Sequence, residues 1–422
     1  MAREMKNSGV RWIGDIPSVW NDIRLQHCIH EINVKNNPIQ TEFVLSLTVK
    51  DGVLPYDEKG DVGNKAKENY SEYKLAYPNT IVLNSMNILI GAVGISKYFG
   101  CVSPVYYVIR NKENSNLKFI NYVLSSIPFQ KNLRRYANGI LEIRMRVSMW
   151  DICKRRIPQP PLSEQKSIAD FLDAKCGEID GLLADLDAEV KTLTEYKKSI
   201  IAETVTRGLN PNAPMKSSGI LWAESIPAHW GVEKFRYKLK PKKIVGQGDK
   251  EVLSVYREYG VVIKSSRDDN HNRTSEDTSN YKYVQPNDFV INKMKAWQGS
   301  MGVSNYEGIV SPAYFVYSFR DEDYLPKFFH YYMRNANNIP EYRRLSGGIR
   351  EGQWDLSPYD LGNMPIILPP IDEQIEIANY LDSKCAAIDQ AITDKTQQIE
   401  TLKAYKSSLI YEYVTGKKQV AL

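Results

Sequence analysis

From Ile179 the apolar residues step by four and by three, through Leu183, Leu186, Val190 and Leu193 to Ile200, with Lys197 held in the same register. The stepping returns 209 residues later as Ile388, Ile392, Ile399, Leu402 and Leu409, with Lys395 and Lys406 in the stripe. A period of about 3.5 predicts a seam too narrow for one helix to bury alone, hence a coiled coil in which the two copies are natural partners. Each copy opens with Pro-Pro-x-x-Glu-Gln. The prolines stop what precedes them, and Ser163 or Asp372 is expected to cap the first turn with a side-chain oxygen. A helix of about 45 residues is roughly 68 Å long, which is a spacer and not a core element.

The duplication extends beyond the helices. Between Pro160–Thr206 and Pro369–Thr415, 22 of 47 positions are identical. Upstream, Trp12, Pro17 and Trp20 answer to Trp222, Pro227 and Trp230. The intervening segments read as compact mixed domains. In the first, strands are expected at Ile81 to Leu83, Ile88 to Ile90 and Val105 to Ile109, then a helix from Leu117 to Tyr136. Tyr73-Lys74, Ser103-Pro104 and Arg134-Arg135 recur as Tyr281-Lys282, Ser311-Pro312 and Arg343-Arg344, but Asp51–Ser71 and Gly260–Asn280 share almost nothing. Two copies of one scaffold therefore carry different polar loops. The predicted class is α+β, in four parts: a first domain (1–162), a first helix (163–208), a second domain (209–371) and a second helix (372–422). Arg207–Lys216 reads as a turn or short tether, and the tail after Thr415 is expected to fray.

Composition narrows the partners. The 422 residues carry 55 Lys and Arg against 50 Asp and Glu, a net charge of +5 that permits a polyanion without demanding one. No apolar run reaches the roughly 18 residues of a membrane span, and the opening residues lack a secretory signal, so the expected location is the cytoplasm. Five cysteines without a C-x-x-C suit a reducing compartment and give no zinc site.

The order of these pieces resembles the specificity subunit of a type I DNA restriction-modification system. The resemblance rests on PPLSEQ and PPIDEQ, on FLDAKCGEID and YLDSKCAAID, on SGVRWIGDIP and SGILWAESIP, and on VSPVYYV and VSPAYFV, and it spans nearly the whole chain. It implies two target-recognition domains at opposite ends of an antiparallel pair of conserved helices, related by a pseudo-twofold axis. Each domain would read one half of an asymmetric, interrupted double-stranded DNA sequence. Two modification (methyltransferase) subunits would perform adenine N6 methylation with S-adenosylmethionine, and restriction (translocase-nuclease) subunits using ATP and Mg would cleave unmodified DNA. No cofactor would sit on this chain. The residues independently favour such an arrangement, because paired rods can hold two domains at a set separation on one face of a duplex, where equivalent grooves recur about every 34 Å.

Base reading calls for Arg or Lys on guanine and Asn or Gln on adenine, while phosphates take Lys, Arg and hydroxyls. The first domain offers Lys65, Lys67, Asn69, Tyr70, Lys74, Arg134, Arg135, Arg144 and Arg146. The second offers Lys264, Ser265, Arg267, Asn270, Arg273, Lys282, Lys293, Lys295, Trp297, Arg343, Arg344 and Arg350, the last aligned with Leu141. Arg134 and Arg343, closing a helix, are equally placed to offset its dipole.

Chemistry on the chain itself finds less support. The Asn/Asp-Pro-Pro-Tyr/Phe tetrapeptide of an adenine methyltransferase is missing. A nuclease-like set of Asp61, Glu72 and Lys74 is not repeated, since Asn280 stands where Glu72 does. His27 and His30 share a helical face only if that segment is helical, and no third ligand lies near. Cys176 and Cys385, each after a lysine, read better as packing residues than as reactive thiols. The competing class is a structural spacer holding two protein-binding modules apart, which would call for more apolar loops than Lys264–Asn280.

Overall fold

The computed structural model describes residues 3–60, 69–139, 145–267, 274–275, 277–348 and 354–420. The chain divides into two compact units, Met1–Asp187 with Gln397–Leu422, and Ala188–Thr396. Two long helices, Leu162–Arg207 and Ile371–Val414, are split between them, so each unit owns the start of one and the end of the other.

In unit 1 a four-stranded antiparallel sheet has the spatial order Ile29–Glu31, Tyr106–Asn111, Thr80–Asn84, Val93–Ser96. Successive residues of a strand face opposite sides. Ile81, Leu83 and Ile109 accordingly enter the core shared with the long helices, while Val82 and Val108 pack beneath a hairpin, Leu45–Thr48 with Gly52–Pro55. Coverage on both faces explains why TIVLN reads as a continuous apolar run and not an alternating one. Unit 2 repeats the plan with Leu239–Pro241, Tyr314–Phe319, Phe289–Asn292 and Met301–Val303. There Phe289 and Ile291 face the helices, and Val290 and Val316 face the hairpin Leu253–Tyr256 with Gly260–Ile263.

The start of each long helix is locked by the Glu-Gln pair of its opening motif. Buried Gln165 donates to the carbonyls of Pro160 (2.9 Å) and Asn114 (3.4 Å) and accepts from the Asn116 amide (2.9 Å). Buried Gln374 likewise donates to Pro369 (2.8 Å) and Asp323 (2.9 Å) and accepts from Leu325 (2.8 Å). Glu164 accepts the indole N–H of fully buried Trp20 at 2.8 Å, and Glu373 accepts that of Trp230 at 3.0 Å. The same indoles receive the end of the other helix. Gly416 (φ +72°) and Gly208 (φ +74°) turn the chain in the left-handed region, where a Cβ would stand 2.9 Å from Trp20 and 3.1 Å from Trp230.

Within each unit the helix pieces run antiparallel, because residue numbers rise along one as they fall along the other. In unit 1 Phe171 meets Tyr413 with ring centroids 4.5 Å apart, and Asp180 meets Lys406 at 2.6 Å. In unit 2 Glu189 pairs with Lys395, and Asp389 with Lys197 at 2.6 Å. The lysines that interrupt the apolar stripe thus bridge to the facing helix. Such half-exposed pairs add little stability, but a charge at a seam position fixes register and orientation. Along the stripe Ile179, Ile200, Ile388, Ile399 and Leu409 are buried, and Leu183, Leu186, Val190, Leu193, Ile392 and Leu402 are half-buried.

Several local expectations are corrected. The helices begin at Leu162 and Ile371, so Ser163 and Asp372 lie inside the first turn; the carbonyls of Pro161 and Pro370 accept the first helical bonds instead. Ile88 to Ile90 is not a strand but part of a short helical turn, Asn87–Ile90, closed by Gly91 at φ +99°. The helix expected over Leu117 to Tyr136 breaks into Leu117–Ser125, Ile127–Leu133 and Arg134–Tyr136, since Pro128 has no N–H to continue the first piece. The tail is held as far as Val420: Lys417 donates to the Ile13 carbonyl at 2.7 Å, and Val420 packs on the unit 1 core.

Replacing Gln374 by Leu keeps the bulk but strands the buried Pro369 carbonyl and takes the partner from the part-buried Asp323 carbonyl and Leu325 amide. This is expected to lower stability by about 3 kcal/mol in denaturant titrations. Trp230→Phe, which removes the indole donor and part of the buried ring packed on Gly208, should cost about 2–3 kcal/mol.

Candidate nucleic-acid interface

The hairpins and the loops after them are where the two units part company. In unit 2 the register pairs Tyr256 with Gly260, leaving Arg257, Glu258 and Tyr259 as the turn. The rings of Tyr256 and Tyr259 meet edge-on at 6.2 Å, and the Arg267 guanidinium lies 4.1 Å from the Tyr259 centroid and 5.4 Å from that of Tyr256. Lys264, just past the hairpin, donates to the Thr274 hydroxyl at 2.7 Å, and burial lowers its pKa; Ser265 donates to Glu251 at 3.0 Å. Unit 1 has Val49, Lys50 and Asp51 at its turn, and that turn closes on itself through Thr48 and Asp51.

A second group forms in unit 2 around Trp297. The Arg343 guanidinium stands 5.4 Å from its ring centroid, Trp354 packs at 5.6 Å, Lys293 pairs with Asp355 at 2.9 Å, and Lys295 is exposed. Two short strands, Ser346–Gly347 and Asp355–Leu356, flank the segment that holds Arg350. Unit 1 answers with a bridge between Asn138 and Arg146, an exposed residue, flanking the segment that holds Arg144. Arg134 and Arg135 are exposed at the end of their helical turn, and Arg344 is clamped on Glu341, the residue a turn earlier.

Other candidates are held inward. Lys74 donates to the Tyr106 carbonyl at 2.9 Å beside Glu31, and Lys282 donates to the carbonyls of Pro312 (2.9 Å) and Tyr314 (2.5 Å). Burial lowers the pKa of both. These repeated lysines tie down the Ser-Pro loop that recurs with them, which accounts for their joint retention. Asn69 accepts from the Ser71 amide at 3.2 Å, and the Tyr70 ring meets Tyr73 edge-on at 5.9 Å. Lys65, Lys67, Arg144, Asn270, Arg273 and Arg350 lie outside the described residues, as do Asp61 and Leu141.

The sequence reading missed Tyr256, Arg257, Tyr259 and Trp354. Its divergent loop opened at Gly260, immediately after the aromatic turn. The signal was a high tyrosine count, 27 in the chain, with two of them bracketing Arg-Glu before a glycine. His27 ends a short turn, Leu25–His27, while His30 lies on a strand, so the two do not share a helical face. Burial pushes the thiols of Cys176 and Cys385 up, the opposite of an activated thiolate. Among the described residues no group of three or more His, Cys, Asp or Glu could hold a metal ion.

Comparison with known proteins agrees with this geometry. The family model described as "Type I restriction modification DNA specificity domain" matches residues 28–191 and again 243–401. The chain belongs to that family. It is a type I specificity subunit, with one copy of the family domain in each half. A relative assigned as the type I restriction enzyme MjaX specificity subunit of Methanocaldococcus jannaschii is 24% identical over 97% of this chain and 96% of its own length. The type I restriction enzyme EcoKI specificity subunit of Escherichia coli K12 is 20% identical over 64% of this chain and 59% of its own. Among solved structures, a chain from a study of complex assembly and conformational transition in the type I R-M system matches with a TM-score of 0.69 at 16% identity, covering 96% of this chain and 99% of that one. The HsdS subunit from Thermoanaerobacter tengcongensis matches at 0.51 and 17%, covering 96% and 98%. At these identities the structural matches speak to the fold of the specificity subunit.

One half-buried base gives unit 2 of the specificity subunit a pH dependence. Burial, with Arg334 alongside, drives the His330 imidazole down to about 4. An unfolded chain would take up that proton near pH 6.5, whereas the folded chain takes it up only near 4. Stability is therefore full above pH 6.5 and falls as the pH drops toward 4, by up to about 3 kcal/mol from this group. Unfolding midpoints measured against pH should show this slope, and His330→Asn, which installs the residue unit 1 carries as Asn121, should flatten it.

Proposed function

We propose that the two units read the two halves of one asymmetric, interrupted duplex sequence, and that the chain does no chemistry itself. The observation that carries this reading is the split between what the copies keep and what they change. The indole locks, the seam charges and the inward lysines are kept; the hairpin turns and the loops after them differ. Phosphate contacts position a protein on a duplex without carrying sequence, whereas base contacts specify. The exposed pair Arg134 and Arg343 therefore suits the phosphate backbone common to both halves. Arg267, Lys295, Trp297 and the residues around Arg144 and Arg350 suit bases or the groove particular to each half. Lys74 and Lys282 act from within, holding the Ser-Pro loops.

Adenine N6 methylation would then be carried out by two modification subunits with bound S-adenosylmethionine. Cleavage of unmodified DNA would fall to restriction subunits using ATP and Mg. The relatives named as specificity subunits of type I restriction enzymes support this division of labour. No described helix is long and apolar enough to cross a membrane, and an assembly that acts on genomic DNA belongs in the cytoplasm.

Sequencing that detects methyladenine, applied to cells with and without the gene, should show loss of one bipartite motif on deletion. An unchanged methylome would overturn the reading. Exchanging Gly260–Asn280 for the equivalent loop of another specificity subunit should change the letters of one half of the motif and leave the other half as it was.

A further inference from the structure

The hairpin of unit 2 is built as a finger. Its underside is apolar: Leu253, Val255 and Val261 are buried with Val290 and Val316 of the sheet. Gly260, at φ +71°, lets the turn press on the sheet edge, where a Cβ on Gly302 would stand 3.2 Å from the Gly260 Cα. The tip points away from this core, with Tyr259 53% exposed and the side chains of Arg257 and Glu258 64% and 63% exposed. Tyr259 thus leaves half its surface in solvent at the tip of an anchored ribbon, its ring braced by Tyr256 and Arg267.

Below the tip lies a clamp that the sequence did not announce. Arg334, at the end of the helix Pro326–Met333, donates through Nη2 to the carbonyls of Arg257 (2.9 Å) and Glu258 (2.7 Å). Its Nη1 lies 2.8 Å from Nε2 of His330, one helical turn back. A planar guanidinium gripping two successive turn carbonyls fixes the orientation of the peptide planes, and with them the direction of the side chains above. Unit 1 has Ser125 and Asn121 at the corresponding positions, and the Ser125 hydroxyl is spent on the Asn121 carbonyl of its own helix at 2.7 Å.

We propose that the turn Arg257–Tyr259 is a base-reading finger of unit 2, entering the major groove, and that Arg334 is the positioning residue that sets its pose. This rests on the reading of unit 2 as a DNA-contacting domain. The dimensions suit it, since the major groove, about 12 Å wide, admits a two-stranded β-ribbon. So does the charge: Arg257, Lys264 and Arg267 outnumber Glu251 and Glu258, and Arg257, 3.5 Å from Glu258, keeps 64% of its side chain exposed. Arg257 carries the donors that guanine N7 and O6 accept, and the Tyr256 and Tyr259 rings with Arg267 stiffen the turn beforehand, so less freedom is lost on binding.

The test uses the full chain expressed with its modification partners, and reads methylation at matched sites and at every single mismatch of the motif. Arg257→Ala and Tyr259→Ala are expected to lower discrimination about tenfold at one or more letters of a single half, with the other half unchanged. Arg334→Met should relax letters of that same half, and Arg334→Lys, which keeps a donor, should restore part of the discrimination. Wild-type discrimination in the Arg257 and Tyr259 variants, or equal relaxation of both halves, would overturn the proposal while leaving the bipartite reading intact. A wild-type chain that yields no bipartite motif would remove both.

Discussion

Two buried indoles organise this protein. Trp20 gives its N–H to Glu164 at the start of one long helix while its ring faces Gly416 at the end of the other, and Trp230 does the same with Glu373 and Gly208. A helix start carries unpaired amides and a helix end carries unpaired carbonyls. Bringing one of each to a single rigid ring ties two long elements to one domain at one point. The neighbouring glutamines, Gln165 and Gln374, extend the tie by bonding the first turn to the residue that opens an earlier domain helix, Asn116 or Leu325. Because both indoles and both glutamines are buried, removing the partner of any of their polar atoms leaves a costly orphan.

What hangs on that joint can vary because the sheet is covered on both sides. The core on the helix side is built of large side chains, among them Phe119 and Phe129 in unit 1 and Phe289 and Phe329 in unit 2. The other face holds a small valine-rich core beneath the hairpin. The second core demands only apolar residues of about the right size on the hairpin's inner positions. Its turn, three residues projecting from that core, is then free to differ, and it does: Val-Lys-Asp in one unit, Arg-Glu-Tyr in the other.

The seam between the helix pieces shows the same economy. Isoleucines and leucines supply burial, and the lysines at positions 197, 395 and 406 supply register by reaching an acid on the facing helix. Two of those pairs, Asp180 with Lys406 and Asp389 with Lys197, are each other's counterparts under the repeat. A specificity subunit that must keep two differing readers on equivalent mounts gains from contacts that cannot slip by a turn.

The amino-acid sequence by itself determined the features that recur within a short span or between the two copies: the stepped apolar stripe, the long helices, the doubled α+β domain and the identity of the unlike loops. Periodicity is local, and a repeat compares like with like, so neither needs a fold to be seen. Tertiary structure decided what joins distant positions. Nothing local tells that Glu164 serves an indole at Trp20, that Lys74 and Lys282 bend inward to carbonyls, or that Arg334 holds a turn more than 70 residues away, at Arg257 and Glu258. The Pro-Pro-x-x-Glu-Gln motif reads as a start signal, yet its Glu and Gln act on residues far along the chain. Likewise an arginine or lysine looks the same in a sequence whether its charge faces solvent or a buried carbonyl, because that choice is made by whichever backbone groups the fold leaves unpaired beside it.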